Sequence, residues 1–170
     1  MQLQKKNLVM GVEIIDNFLP EKDFSLIQEK LLSTDIQWYF SNYTCFNGDG
    51  RYQFTHSFYE KERGGQTSSY FPIFETVVRM LGVKDLYRIK ANLNPRTFFK
   101  TDTGYHYDYP NMMTAVLYIN NNNGGTKFKG GKFVRSVENR IVVFDSNLVH
   151  AGITCTDEHR RVMVNFNFEN

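Results

Sequence analysis

A histidine and an aspartate that could share a metal ion stand two residues apart in the second half of the chain. They are His106 and Asp108, separated by Tyr107. In an extended segment, residues i and i+2 face the same side, so the imidazole and the carboxylate would project together. The spacing alone has little specificity, because a surface histidine beside a solvated aspartate gives the same pattern.

A second histidine, His150, follows a strand-like run and a loop. The run 140–144 is rich in β-branched residues and reads as a buried strand. Two histidines and one carboxylate on one side of a metal ion form the facial triad of non-haem Fe(II) sites. Three such ligands leave three positions of an octahedral shell open, enough for a chelating cosubstrate and for dioxygen.

The last strand-like run supplies a cation that could bind such a cosubstrate. Its two faces alternate, with Arg161, Met163, Asn165 and Asn167 on one side and Val162, Val164, Phe166 and Phe168 on the other. An arginine that points into a cavity needs an anion, and a dicarboxylate could accept two parallel hydrogen bonds from it. The alternation favours Arg161 over Arg160, and two solvated arginines at a strand start are the alternative.

These motifs occur in a fixed order along the chain. In sequence they are His106-Tyr-Asp108, Leu117-Tyr-Ile-Asn120, Gly124-Gly-Thr126, Asn139–Phe144, His150-Ala-Gly152, Arg161 and Asn165–Phe168. The ordered set resembles the Fe(II)- and 2-oxoglutarate-dependent oxygenases, particularly the prolyl-4-hydroxylase-like branch. The match runs from Leu86 to the C-terminus, and 14–20 with the helix after it is similar to the family's usual start.

The resemblance implies roles for six residues. It implies no catalytic residue beyond the metal ligands. The implied Fe(II) ligands are His106, Asp108 and His150, and the implied cosubstrate-binding residues are Arg161, Tyr118 and Asn92. Arg161 would bind the distal carboxylate of 2-oxoglutarate, and Tyr118 would donate its hydroxyl to the same group, as in some relatives. Asn92 matches an asparagine of nucleic-acid demethylases. A core aromatic at Tyr118 and a structural amide at Asn92 are the alternatives.

The activity implied by the resemblance is hydroxylation of a C–H bond with release of succinate and CO2. The implied cofactors are Fe(II), 2-oxoglutarate and O2. Whether ascorbate is also needed is an open question. A peptidyl, prolyl-type substrate is the leading expectation, followed by a small metabolite. Nucleic-acid demethylation ranks third. A group of basic residues could bind phosphates, but Asp85 and Asp102 interrupt it and favour a solvated surface. The basic residues are Lys84, Arg88, Lys90, Arg96 and Lys100. A non-catalytic β-helix binding module is the alternative from another class.

The elements that must position these residues are mainly strands. Candidate strands lie at 9–15, 52–59, 86–93, 114–119, 126–128, 133–137, 141–144 and 162–168. Apolar residues at helical spacing predict helices at 21–32 and 71–81. The run 97–105 reads either as a lid or as an ordinary surface loop. We expect an α+β, mainly β chain, and the resemblance implies a double-stranded β-helix (jelly roll) with the helices packed on the outside of one sheet.

The amino-acid composition limits the class of protein that the chain can be. With 170 residues, 41% hydrophobic, 22% charged and a net charge of +2, the chain suits one globular domain. We expect a single domain over 1–170, with a support region at 1–83 and a catalytic core at 84–170. The cysteines Cys45 and Cys155 form no CxxC pair, and neither an apolar run long enough to span a bilayer nor a secretory signal is found. A cytoplasmic protein without membrane partners is the expectation, and the oligomeric state stays open.

Overall fold

The computed structural model describes residues 11–170, and within this range the chain forms strands far more than helices. The strands are β1 Val12–Ile15, β2 Tyr39–Ser41, β3 Gln53–Glu60, β4 Gly65–Gln66, β5 Asp85–Pro95, β6 Met113–Tyr118, β7 Gly125–Phe128, β8 Phe133–Arg135, β9 Ile141–Asp145, β10 His150–Ile153 and β11 Arg160–Glu169. The helices are α1 Glu21–Leu32 and α2 Glu75–Leu81, with 3-10 turns at Lys61–Arg63 and Phe71–Phe74.

The strands form two antiparallel sheets. The large sheet has the order β1-β9-β6-β11-β5-β3-β2, with β4 paired to β3, and the small sheet has the order β10-β7-β8. Some neighbours in the large sheet come from distant parts of the chain, as in β11 between β5 and β6. A mainly β chain with antiparallel sheets of this kind is what a jelly roll requires.

Strand β11 shows why the large sheet has two different faces. Val162, Val164, Phe166 and Phe168 are all fully buried, and they belong to one hydrophobic cluster. Burying each such side chain contributes about 1.5–3 kcal/mol. On the other face, Arg161, Met163 and Asn165 line a cavity. The predicted alternation along this strand is confirmed.

Both helices contribute apolar residues to the cluster that contains the apolar face of β11. Phe24, Ile27 and Leu31 of α1 and Val77 and Leu81 of α2 belong to the same cluster as the apolar face of β11. A second cluster joins Val116, Tyr118, Val142 and Phe144 of the large sheet to Phe128 and Val134 of the small one. The apolar face of β11 therefore shares one cluster with the helices, and the large sheet shares the second cluster with the small sheet. That the helices pack on the outside of one sheet stays a prediction.

Several element boundaries differ from the sequence expectations. Helix α1 has the predicted bounds, but 71–81 starts as a 3-10 turn at Phe71–Phe74, which contains Pro72, and regular helix begins at Glu75. Strand 133–137 ends at Arg135, and the strand expected at 9–15 begins at Val12, with its first two residues outside the described range. The sequence pattern predicts no strand at the positions of β2, β4 and β10. Among residues 11–170, no helix has the length and apolar content that crossing a bilayer requires.

Candidate metal centre

His106, Asp108 and His150 meet at one point, so the three predicted ligands are brought together. One ligand atom from each lies within 4.8 Å of the others. The Nε2 atom of His106 is 3.7 Å from Asp108 Oδ1, and that of His150 is 3.9 Å from Asp108 Oδ2. Two imidazoles and a carboxylate at this spacing fit a facial Fe(II) site.

Backbone pairing brings the two histidines side by side. The His106 amide donates to the His150 carbonyl at 2.9 Å, and the His150 amide donates to the His106 carbonyl at 2.8 Å. His150 follows the loop after β9, as the sequence suggested, and it is the first residue of β10, a strand that the sequence did not predict and that pairs with β7. The short strand therefore holds the third ligand rigidly.

Hydrogen bonds orient both imidazole rings for metal binding. The Nδ1 atom of His150 lies 2.8 Å from the Leu148 carbonyl oxygen, and that of His106 lies 3.1 Å from the Gly104 carbonyl oxygen. A carbonyl can only accept, so each Nδ1 carries the proton and each Nε2 keeps its lone pair for a metal. Burial lowers the pKa of His150, which also favours the neutral, metal-binding ring.

A buried polar network holds the Asp108 carboxylate. Its Oδ2 accepts hydrogen bonds from Thr114 Oγ1 at 2.7 Å and from Asn167 Nδ2 at 3.3 Å. Thr114 and Asn167 are both fully buried, and Thr114 Oγ1 also contacts Ser146 Oγ at 2.7 Å. Burial opposes ionisation of the carboxyl, but His150 and Thr114 outweigh it and the pKa of Asp108 lies below its usual value. The network therefore favours the carboxylate form that a metal needs.

Removing the Thr114 hydroxyl should weaken the metal site without removing a ligand. In Thr114→Val, Asp108 Oδ2 loses its 2.7 Å hydrogen bond, so the carboxylate is less well fixed. We expect an affinity for Mn(II) lower by about 10- to 100-fold, the range found when partners of metal ligands are removed. The matched control is Thr67→Val, whose hydroxyl contacts Ser57 instead. Wild-type Mn(II) affinity in Thr114→Val by titration calorimetry would show that the network does not support the site.

A cavity of about 370 Å³ extends from the three ligands to Arg161. Arg161 is only 2% exposed, and it donates from Nε to Ser136 Oγ at 3.1 Å and from Nη1 to Asn94 Oδ1 at 3.2 Å. Among residues 11–170, the ion pairs include none that involves Arg161. A buried guanidinium without an anion is unfavourable, so the cavity fits a ligand whose far end is a carboxylate.

A glycine keeps space open beside this guanidinium. A Cβ atom at Gly152 would lie 2.8 Å from Thr103 Oγ1 and 3.3 Å from Arg161 Nη1. Any larger residue on β10 at this point would crowd the floor of the cavity. The absence of a side chain at Gly152 therefore leaves open volume next to Arg161, and a binding site for a small dicarboxylate needs such volume.

The other predicted site residues lie close to this cavity in different ways. Asn92 lines it, while Tyr118 is fully buried and its hydroxyl donates to Thr126 Oγ1 at 2.8 Å. The Arg161 guanidinium lies 5.7 Å from the Tyr118 ring centroid. Arg160 turns away and donates to the Leu32 carbonyl oxygen at 2.6 Å. The cosubstrate roles of Tyr118 and Asn92 stay predictions.

Sequence reasoning missed several residues that contact the site. Asn94 contacts Arg161, and register could have indicated it because the two residues are Cα partners on β5 and β11. Ser136, Thr103 and Cys45 lie in irregular segments, and no periodic pattern marks them. The Cys45 sulfur lies 3.2 Å from His106 Nδ1, on the side of the ring away from the candidate metal position.

Comparison with known proteins gives matches in structure alone. No family model and no curated protein matches the chain. A prolyl-4-hydroxylase from Pseudomonas putida superposes with a TM-score of 0.68 at 18% identity, covering 95% of this chain and 94% of that one. A 2OG-Fe(II) oxygenase family oxidoreductase from Burkholderia pseudomallei gives 0.64 at 13% identity, covering 95% and 87%.

A third structure adds a bound peptide to the comparison. It is a prolyl hydroxylase from Trichoplax adhaerens in complex with a hypoxia inducible factor peptide fragment, with a TM-score of 0.59 at 16% identity, covering 95% of this chain and 84% of that one. The chain therefore has the fold of the 2OG-Fe(II) oxygenases, and prolyl hydroxylases are among the structures most like it. The resemblance inferred from the motifs is confirmed at the level of the fold.

Proposed function

We propose that the chain is an Fe(II)- and 2-oxoglutarate-dependent dioxygenase that hydroxylates a C–H bond and releases succinate and CO2. One observation carries the proposal: the three candidate ligands and the unpaired Arg161 open onto the same cavity of about 370 Å³. A candidate metal site and a candidate carboxylate site that line one small cavity suit a chelating keto acid. Bound Fe(II), with 2-oxoglutarate and O2, would supply the oxidising chemistry.

The residues of this chain would bind, orient and shield. His106 and His150 present Nε2 atoms and Asp108 presents a carboxylate oxygen, all toward the cavity. Arg161 would bind the distal carboxylate of 2-oxoglutarate, which directs the keto end toward the three ligands. Val116 and Met163 contribute apolar surface to the cavity wall, and this helps to exclude water from the reacting groups.

The finer proposal is a peptidyl, prolyl-type substrate. Prolyl hydroxylases stand among the structures with this fold, and one of them was solved with a peptide. A groove of about 840 Å³ adjoins the cavity and is large enough for several residues of an extended chain. A small-molecule substrate is the second candidate, because an epimerase of the same fold, SnoN, was solved in complex with nogalamycin RO (TM-score 0.62, 11% identity).

Anaerobic titration with Fe(II) and 2-oxoglutarate tests the proposal. A weak visible charge-transfer band that saturates at one equivalent is expected for wild type and absent in the folded Asp108→Asn variant. A folded wild-type protein without the band would favour the non-catalytic binding module. Succinate formation with prolyl peptides, small metabolites or methylated oligonucleotides then separates the substrate classes, since the correct class should raise it above the background.

A further inference from the structure

Two cations stand where the catalytic cavity joins the larger groove. Arg88 and Lys90 lie on β5, two residues apart, and both line the cavity as well as the groove. They share this face of β5 with Asn92 and Asn94. Neither cation is used by the metal centre or by the binding of 2-oxoglutarate, so their place at the junction needs another explanation.

Lys90 lacks any direct contact for its charge within the described residues. Among residues 11–170, neither the ion pairs nor the hydrogen bonds include one to its Nζ atom. Burial, and the neighbouring Arg88 charge after it, lowers the pKa of Lys90 to about 8. Lys90 is half-buried, and a half-buried cation without a paired anion is unfavourable, because lysines that serve only structure are normally solvated or paired.

Arg88 is held in place but is not neutralised. Its Nε donates to Asn167 Oδ1 at 3.1 Å, and its guanidinium lies 4.9 Å from the centroid of the Tyr109 ring. The ion pairs of the described residues include no carboxylate for Arg88. These contacts fix the plane of the guanidinium and leave its terminal nitrogens for a ligand.

The acids nearest to the groove are already engaged. Glu60 pairs with Arg63 at 2.8 Å, and Glu62 accepts a hydrogen bond from the Tyr87 hydroxyl. At the metal centre, Fe(II) with Asp108 and 2-oxoglutarate with Arg161 carry opposite net charges that cancel. Asp108 and Glu60 attract Lys90 from a distance, but among residues 11–170 neither Lys90 nor Arg88 has a direct ion pair. A loaded centre, with no net charge, would not supply one.

We infer that Lys90 and Arg88 bind an anionic group of the substrate, a carboxylate or a phosphate, at the entrance to the catalytic cavity. That the anion belongs to a substrate rests on the proposed function, whereas the presence of an anion site does not. An anion at this point would lie beside the three ligands, with the rest of the molecule in the groove. The tyrosines of the groove, Tyr39, Tyr43, Tyr70, Tyr87 and Tyr109, offer aromatic surface and hydroxyls to that remainder.

The test uses protein loaded with Zn(II) and saturated with N-oxalylglycine, so that Arg161 is occupied. Protein with 13C at the lysine Cε is titrated with N-acetylglycine, with its neutral amide and with methyl phosphate. We expect a saturable shift of the Lys90 resonance with one or both anions and none with the amide. In Lys90→Met, anion affinity by calorimetry should fall about tenfold or more, the size expected for a lost charged hydrogen bond. The control, Lys84→Met, changes an exposed lysine and should bind as wild type.

Thermal unfolding without anion supplies a second measurement. Lys90→Met removes a half-buried charge that has no ion pair among residues 11–170, so its Tm should equal or exceed that of wild type, whereas loss of a lysine with a structural role would lower it. No shift of the Lys90 resonance with either anion, or wild-type anion affinity in Lys90→Met, would overturn the inference. Failure of N-oxalylglycine to bind would instead count against the proposed function, and the Lys90 signal would still report on the anion site.

Discussion

Asp108→Asn should lower the affinity for Fe(II) or Mn(II) by at least about 100-fold and remove 2-oxoglutarate turnover. The substitution deletes the one anionic donor of the candidate centre while keeping an oxygen that can accept the hydrogen bond from Thr114. Coordination of the metal by a charged oxygen is lost, and loss of even an outer partner of a ligand costs about 10- to 100-fold in affinity. Titration calorimetry under anaerobic conditions and succinate formation measure the two effects.

Asp145→Asn is the matched control for this prediction. Asp145 ends β9 close to the site in sequence, but it is exposed and its carboxylate accepts from the Asn147 amide within a turn. It should keep both metal affinity and turnover. His106→Ala and His150→Ala should behave like Asp108→Asn, with the fold retained by near-wild-type circular dichroism. Full turnover in any of the three variants would remove that residue from the ligand set.

The alternation of residues along one strand was enough to place the arginine of the site. Polar and apolar residues alternate along β11, and this pattern separates Arg161 from Arg160 without any structure. The structure bears this out, since Arg161 lines the cavity and Arg160 contacts the Leu32 carbonyl oxygen on another side. Sequence reasoning succeeds here because strand geometry imposes the period directly on the side chains.

The partners of these residues could not be predicted in the same way. Thr114 and Asn167 reach Asp108 from β6 and β11, which are adjacent in the sheet but far apart along the chain. No local period marks such a pairing, because sheet order is set by the whole topology. The strand β10 was missed for a related reason, since its few residues show no alternation of their own.

The charge environment of Arg88 and Lys90 also could not be predicted from the sequence. In the sequence, Asp85 and Asp102 interrupt the basic residues and suggest a neutralised, solvated surface. In the fold, Asp85 pairs with Lys61 and Asp102 pairs with Arg51. Lys90 and Arg88 are left without those acids. Proximity along the chain is a poor guide to charge pairing in a sheet, where neighbours in sequence point to opposite faces.

Arg161→Ala should raise the 2-oxoglutarate concentration needed for half-maximal turnover by about 100-fold or more. Charged hydrogen bonds contribute about 1.5–3 kcal/mol each, and a guanidinium can make two of them to one carboxylate. Affinity for Mn(II) should stay close to wild type, because Arg161 contacts Ser136 and Asn94 and makes no contact with a ligand side chain. Kinetics with 2-oxoglutarate and calorimetry with Mn(II) measure the two quantities separately.

Arg160→Ala provides the internal control, since it removes the same charge from the adjacent residue, outside the cavity. Its 2-oxoglutarate requirement should match that of wild type. A large rise in Arg160→Ala together with normal values in Arg161→Ala would show that the cosubstrate lies elsewhere. Without ligand, Arg161→Met should unfold at a temperature equal to or above that of wild type, because the buried guanidinium has no anion until the cosubstrate binds. Loss of cosubstrate affinity without loss of stability would mark Arg161 as a residue kept for binding and not for folding.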